Sequence, residues 1–128
     1  MSKKLLIADD NAHNLELLQD VLERFRAGGL EILTATDGDE TYEAIQKEKP
    51  DLVLLDVMMP GIDGYTICEK VKGDPTLKDI YIIMVTAQAE VEARRKAAGA
   101  GVDEYITKPF DIRLVRSRVQ TILNLKPI

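Results

Sequence analysis

Residues 52–61 read LVLLDVMMPG: four apolar residues, an acid at Asp56, a valine and two methionines, then Pro60 and Gly61. An apolar run with no polar alternation suits a strand covered on both faces. Ile80–Val85 repeats the pattern, and Leu5–Ala8 and Ile32–Leu33 are shorter versions of it. A fifth run, GVDEYI at 101–106, is weaker but holds Val102, Tyr105 and Ile106.

Helical patterns fill the gaps. Leu15, Leu18, Leu22 and Phe25 recur at helical spacing; Ile67, Cys68 and Val71 share a face, as do Val115, Val119 and Ile122, with Leu123 beside them. The stretch Ala89–Ala98 is polar, with Val91 its only large apolar residue, so it is expected to pack thinly and through alanines. Gly38, Gly64, Gly99 and Gly101 punctuate the elements, and Pro127 reads as a stop to the last helix. Strand and helix therefore alternate five times, which builds a mostly parallel sheet with helices on both faces.

The chain has 128 residues, room for one domain, and no linker composition divides it, so 1–128 is read as a single domain. A net charge of −5 argues against a surface built for nucleic acid or anionic membrane. One cysteine excludes an internal disulfide and fits a reducing compartment. No run reaches membrane-spanning length, and Asp9 and Asp10 end the first apolar run before it could act as a signal segment. These features describe a soluble, cytoplasmic domain.

In sheets of this kind ligands bind beyond the carboxyl ends of the strands. Asp9 and Asp10 follow the first run, Asp56 ends the third, Thr86 ends the fourth and Lys108 follows the fifth. Three carboxylates held together repel unless something compensates. A hard divalent cation does so, and magnesium or manganese suits all-oxygen ligands. Asp10 and Asp56, with Asp9 direct or through water, form a partial shell; the Met58 carbonyl offers a neutral oxygen, and Lys108 a movable positive charge. Asp56, rigidly held with its far end exposed, could attack phosphorus and form an acyl phosphate. Cation and lysine would neutralise the developing charge, and the Thr86 hydroxyl could donate to the phosphoryl group.

Each residue also has a purely structural role open to it. Asp9, Asp10 or Asn11 could cap the first helix, Asp56 could be a turn acid, Thr86 a helix cap and Lys108 a surface residue. Pro109 could stiffen the turn or be cis. The joint pattern is what points to chemistry. Neither GxGxxG nor GxxxxGK[ST] occurs. His13 is the lone histidine, early in the first helix, and Cys68 lies on an apolar helical face, so neither supports zinc or nucleophilic chemistry. A haloacid-dehalogenase-like phosphatase would want a second acid where Met58 stands.

The pieces LLIADDN (5–11), LVLLDVMMPGIDGY (52–65), IIMVTA (82–87) and EYITKPF (104–110) together resemble the receiver domain of two-component response regulators, from Lys4 to about Leu125. The resemblance implies a doubly wound, five-stranded flavodoxin-like sheet of order 2-1-3-4-5. It implies Asp56 as phospho-acceptor, Asp9 and Asp10 as the magnesium pair, Thr86 as switch hydroxyl and Lys108 as the phosphate-contacting lysine. Tyr105 stands at the aromatic switch position, with the surface of the fourth helix, fifth strand and fifth helix as its output. Met58 and Gln88 stand at the two positions that tune hydrolysis. The phosphoryl donor would be a sensor histidine kinase or a histidine phosphotransfer protein.

Three outputs fit: a stand-alone regulator acting on a protein target, a phosphorelay carrier, or the receiver of a longer protein. LLDVMMPGIDGYTICEKVKGDP (54–75) is similar to receivers joined to diguanylate cyclases, while the start MSKK suits a natural N-terminus. A pseudo-receiver that binds partners without being phosphorylated is the contrasting class. Arg113, Arg116 and Arg118 on the last helix could pair with Glu90 and Glu92 of a second copy, giving a homodimer on phosphorylation.

Overall fold

The computed structural model describes residues 3–87 and 90–125. Five parallel strands, β1 (Lys3–Ala8), β2 (Leu30–Ala35), β3 (Leu52–Leu55), β4 (Tyr81–Thr86) and β5 (Glu104–Thr107), form one sheet in the order β2-β1-β3-β4-β5. The helices are α1 (Ala12–Leu22), α2 (Gly38–Glu48), α3 (Gly64–Lys72), α4 (Val91–Gly99) and α5 (Ile112–Ile122). This is the doubly wound α/β architecture expected, with its order reversing between β1 and β3.

The strand residues sort by parity onto two cores. Leu5, Ile7, Leu52, Leu54, Ile83 and Val85 pack with Leu15, Leu18 and Leu22 of α1 and Val115 and Val119 of α5. Leu6, Val53, Leu55, Ile82 and Met84 pack on the other side with Ile45 of α2, Ile67, Cys68 and Val71 of α3, and Ala97 of α4. Two buried faces are why β3 and β4 read as unbroken apolar runs. Burial also pushes the Cys68 thiol up to about 11, so it stays protonated and acts as a core residue. Leu54 is fully buried between β1 and β4. Leu54→Ala is expected to cost about 2–5 kcal/mol, read as a lower urea midpoint at unchanged slope.

β2 is longer than the run Ile32–Leu33 suggested. It is an edge strand with an alternating burial pattern, and its length comes from residue-by-residue pairing with β1, from Lys3 opposite Leu30 to Ala8 opposite Ala35. The periodic Phe25 is buried but belongs to a 3-10 segment, Glu23–Gly28, that follows α1. Pro127 lies outside the described residues.

Side chains cap four of the helices. Asn11, Asp37, Asp63 and Asp111 accept from the first-turn N–H groups of α1, α2, α3 and α5. Glu90, at the N-cap of α4, makes no such bond, and α4 buries only Ala97. The thin packing expected of this segment is what the structure has, and Val91 is 70% exposed.

The β3–α3 loop docks on the start of α2. The Gly38 N–H donates to the Pro60 carbonyl (2.8 Å), and a Cβ on Gly38 would meet the Ile62 carbonyl oxygen at 1.7 Å. That oxygen is backbone and cannot turn aside. Gly38→Ala is therefore expected to lose about 1–3 kcal/mol in chemical denaturation despite alanine's better helix propensity.

On the opposite edge, the Arg118 guanidinium makes a paired contact with Glu104, its Nε 2.8 Å from Oε1, and the Tyr81 hydroxyl donates to the same carboxylate (2.6 Å). The Arg118 hydrogen bond holds the Glu104 carboxyl below its ordinary 4.5, against burial that pushes it up. A lowered folded-state pKa adds stability above the ordinary carboxyl range and loses it as pH falls through the lowered value. Wild type is expected to exceed Glu104→Gln by about 1 kcal/mol at neutral pH, with the gap closing as a denaturation series moves to acid. Among the described residues no helix is long and apolar enough to cross a membrane.

Candidate functional site

Backbone pairing runs on past the strand ends and fixes the residues that matter. The Asp9 N–H donates to the Ala35 carbonyl (3.1 Å), that of Asp56 to Ala8 (3.0 Å), and that of Lys108 to Thr86 (2.8 Å). Each of these residues is thus held by the sheet rather than by a free loop. Asp9 is 3% exposed, Asp56 6% and Thr86 0%, whereas Asp10 faces solvent.

The structure brings the three acids together. Carboxylate oxygens of Asp9, Asp10 and Asp56 lie within 4.8 Å of one another. Lys108 reaches in from the β5–α5 turn, with Nζ 2.6 Å from Asp9 Oδ2 and 3.1 Å from Asp56 Oδ2. Burial acts to lower the Lys108 pKa, but its bonds to Asp9 and the charge of Asp56 more than offset this, and the pKa ends above its ordinary 10.5. The side chain is therefore an ammonium at neutral pH. Its bond to Pro109 is cis, one of the two possibilities open from the sequence.

The capping roles weighed against chemistry fall to other residues, while Asp56 does make the local turn bond, accepting from the Met58 N–H. Asn11 caps α1, and Asp9 instead accepts from the Asn11 N–H (2.9 Å) through Oδ1. Thr86 is the last residue of β4, and Glu90 occupies the N-cap of α4. Lys108 is half-buried rather than solvated.

Three carboxylates against one ammonium leave the cluster with two negative charges uncompensated. The donors are all hard oxygens, and two of the three acids are buried. This donor set and charge fit a magnesium ion, and the cluster is a metal-coordinating site of that kind.

The remaining expected residues surround it. Met58 has an exposed side chain, and its N–H donates to Asp56 Oδ1 (3.3 Å). Tyr105 is half-buried on β5, with the Arg94 guanidinium 5.0 Å from its ring centroid. Gln88 lies outside the described residues. His13 is exposed in the first turn of α1.

Two neighbours were not foreseen. Asn14 Nδ2 approaches Asp9 Oδ2 (3.4 Å) and, with Lys108 and Phe110, lines a groove of about 380 Å³ beside the site. Its signal in the sequence is its place three residues after the cap Asn11, on the first turn facing the acids. Tyr65, from α3, donates to the Ala93 carbonyl of α4 (3.4 Å); nothing in its spacing separates it from an ordinary core aromatic.

Comparison with known proteins agrees with this geometry. A model described as the response regulator receiver domain matches residues 5–120. The alkaline phosphatase synthesis transcriptional regulatory protein PhoP of Bacillus subtilis is 39% identical over all of this chain and 51% of its own length. Response regulator PleD of Caulobacter vibrioides is 36% identical over 98% of the chain and 27% of its own length. The chain thus spans about half or less of these curated relatives. A response regulator receiver domain protein from Methanospirillum hungatei superposes with a TM-score of 0.85 at 29% identity, covering 97% of this chain and 95% of that one. The acid cluster and the Lys108 bridges match the phospho-accepting, magnesium-binding site of response regulators. Sheet order, acids and lysine at the strand ends, and the family match over most of its length all place this chain among the response regulator receiver domains.

Proposed function

We propose that Asp56 receives a phosphoryl group from a phosphohistidine donor and that the modified domain signals through the surface formed by α4, β5 and α5. The observation that carries this reading is the Lys108 ammonium bridging Asp9 and Asp56, a positive charge already placed where phosphoryl oxygens would arrive. Residues 1–128 act as one receiver unit. The donor is a sensor histidine kinase or a histidine phosphotransfer protein; the relatives named above support phosphorelay partners of this general kind. The single, buried cysteine suits a cytoplasmic setting.

An Asp56 carboxylate oxygen bonds to phosphorus while the bond from phosphorus to the donor imidazole nitrogen breaks, its electron pair leaving with the imidazole. Magnesium, held by Asp9, Asp10, Asp56 and the Met58 carbonyl, would neutralise charge on the transferring oxygens. Lys108 moves from the carboxylates to the phosphoryl group, and Thr86 donates its hydroxyl hydrogen to it. Tyr105 follows Thr86, a shift between states already present in the free protein. Met58 and Gln88 stand at the two positions that tune hydrolysis in the family, and neither side chain is a general base, which supports an acyl phosphate of intermediate lifetime.

A homodimer is the less favoured consequence. Two of the three arginines expected to cross between copies have partners at home, Arg118 with Glu104 and Arg113 with Asp111, and Glu92 pairs with Arg95. Exchanging exposed pairs for equivalent ones gains little.

Intact mass after incubation with acetyl phosphate tests the acceptor reading. With magnesium the protein is expected to gain about 80 Da, one phosphoryl group, and with EDTA nothing. A protein that gains nothing is next offered a phosphohistidine donor. No transfer from either leaves a partner-binding pseudo-receiver instead.

A further inference from the structure

Helix α4 is the most lightly held helix of the fold. Its start lacks a side-chain cap and only Ala97 of its length is buried, whereas every other helix buries two or more residues. Two tyrosines hold it from the side. Tyr105 reaches it from β5 through Arg94. Tyr65 reaches it from α3 twice, with Lys96 Nζ 4.7 Å from the ring centroid and the hydroxyl donating to the Ala93 carbonyl. Arg94 and Lys96 stand two residues apart and project to opposite sides of a helix with 3.6 residues per turn. The helix is therefore gripped on both flanks by a cation over a ring.

Tyr65 is also tied to the acceptor. It follows Gly64, whose N–H donates to the Val57 carbonyl (3.1 Å). A Cβ on Gly64 would lie 2.6 Å from the Asp56 carbonyl oxygen and 2.8 Å from the Val57 Cα. The first turn of α3 rests directly on the backbone of Asp56 and Val57, with no side chain between them to absorb a displacement. Tyr65 itself is 6% exposed and has no free rotation into solvent.

We propose that Tyr65 is a positioning residue that couples the state of Asp56 to α4, in parallel with the route through Thr86 and Tyr105; this rests on Asp56 being the acceptor. A change in the Asp56–Val57 backbone shifts Gly64, Gly64 carries Tyr65, and the ring carries the Ala93 and Lys96 side of α4. The thinly packed helix is the element that yields. Tyr105 alone would pull one flank; the two rings together move the helix as a body.

Hydrogen exchange read by mass spectrometry tests this on wild type, Tyr65→Phe and Tyr65→Leu, unmodified and after acetyl phosphate with magnesium. Intact mass reports phosphoryl uptake in the same samples. In the unmodified protein, Tyr65→Leu is expected to speed α4 exchange about tenfold, with Tyr65→Phe, which keeps the ring under Lys96, in between and α1 and α5 unchanged. On phosphorylation, Tyr65→Leu is expected to lose at least half of the wild-type response of α4 while taking up phosphoryl group normally. Unaltered α4 exchange, a rise spread evenly over all helices, or an undiminished α4 response would each overturn the proposal. A wild type that takes up no phosphoryl group sinks the acceptor reading, visible in the mass alone, while the unmodified samples still decide whether Tyr65 holds α4.

Discussion

Asp56→Asn is expected to remove the acetyl phosphate mass gain completely, under conditions that modify the wild type in full. The amide keeps the shape of the carboxylate but has no anionic oxygen with which to attack phosphorus. Other acids in the cluster do not substitute. Asp9 Oδ1 is taken by the Asn11 N–H and Oδ2 by Lys108, and Asp10 sits on the solvent side. The fold is expected to survive, because the backbone bond from Asp56 to Ala8 does not involve the side chain and Lys108 keeps its bond to Asp9. Magnesium affinity, measured by titration calorimetry, is expected to fall about tenfold or more, since one of three anionic ligands is gone. Mass gain at another residue of the variant would remove Asp56 from the acceptor role.

Lys108→Met moves the same two measurements in opposite directions. Phosphoryl uptake is expected to slow by about 10²–10³-fold, the usual loss when a preorganised charge facing a developing anion is removed. Magnesium affinity is expected to rise, because in the free protein the ammonium is bonded to Asp9 and Asp56, two of the three acids that would hold the ion. Without metal the variant is less stable than wild type, since its carboxylates repel with no counter-charge. Magnesium therefore raises its melting temperature by more than it raises that of the wild type. Equal magnesium affinity in the two proteins would mean that lysine and ion do not compete for those acids. Together, the Asp56 and Lys108 variants separate a residue that reacts from one that stabilises charge.

Much of this site is legible in the sequence because the sheet imposes it. β3 and β4 are covered on both faces, so their apolar runs end sharply, and the residue after each run marks a strand tip. What the sequence does not give is which structural alternative is taken at each tip. Asn11, not Asp9 or Asp10, caps α1, and that frees the acids for the cluster. Strand order entered through resemblance, and without it the meeting of Lys108 with Asp9, far apart in the chain, has no local signal. β2 was visible only at its middle, because an edge strand draws its length from its neighbour rather than from its own composition. Asn14 and Tyr65 stayed hidden for a related reason. An asparagine on a first helical turn and a tyrosine on an apolar face each look ordinary until another element is packed against them.

The same tyrosine placement gives the chain an optical property. It has four tyrosines and no tryptophan, so its native ultraviolet emission comes from tyrosine alone. Two of the four, Tyr65 and Tyr105, lie against cationic side chains on opposite flanks of α4. Tyr81 is hydrogen-bonded to the Glu104 carboxylate at the opposite end of the strands. Any rearrangement of α4 alters the surroundings of half the fluorophores at once. Under the proposed switch, the unlabelled protein would carry its own reporter, readable in a cuvette during incubation with acetyl phosphate.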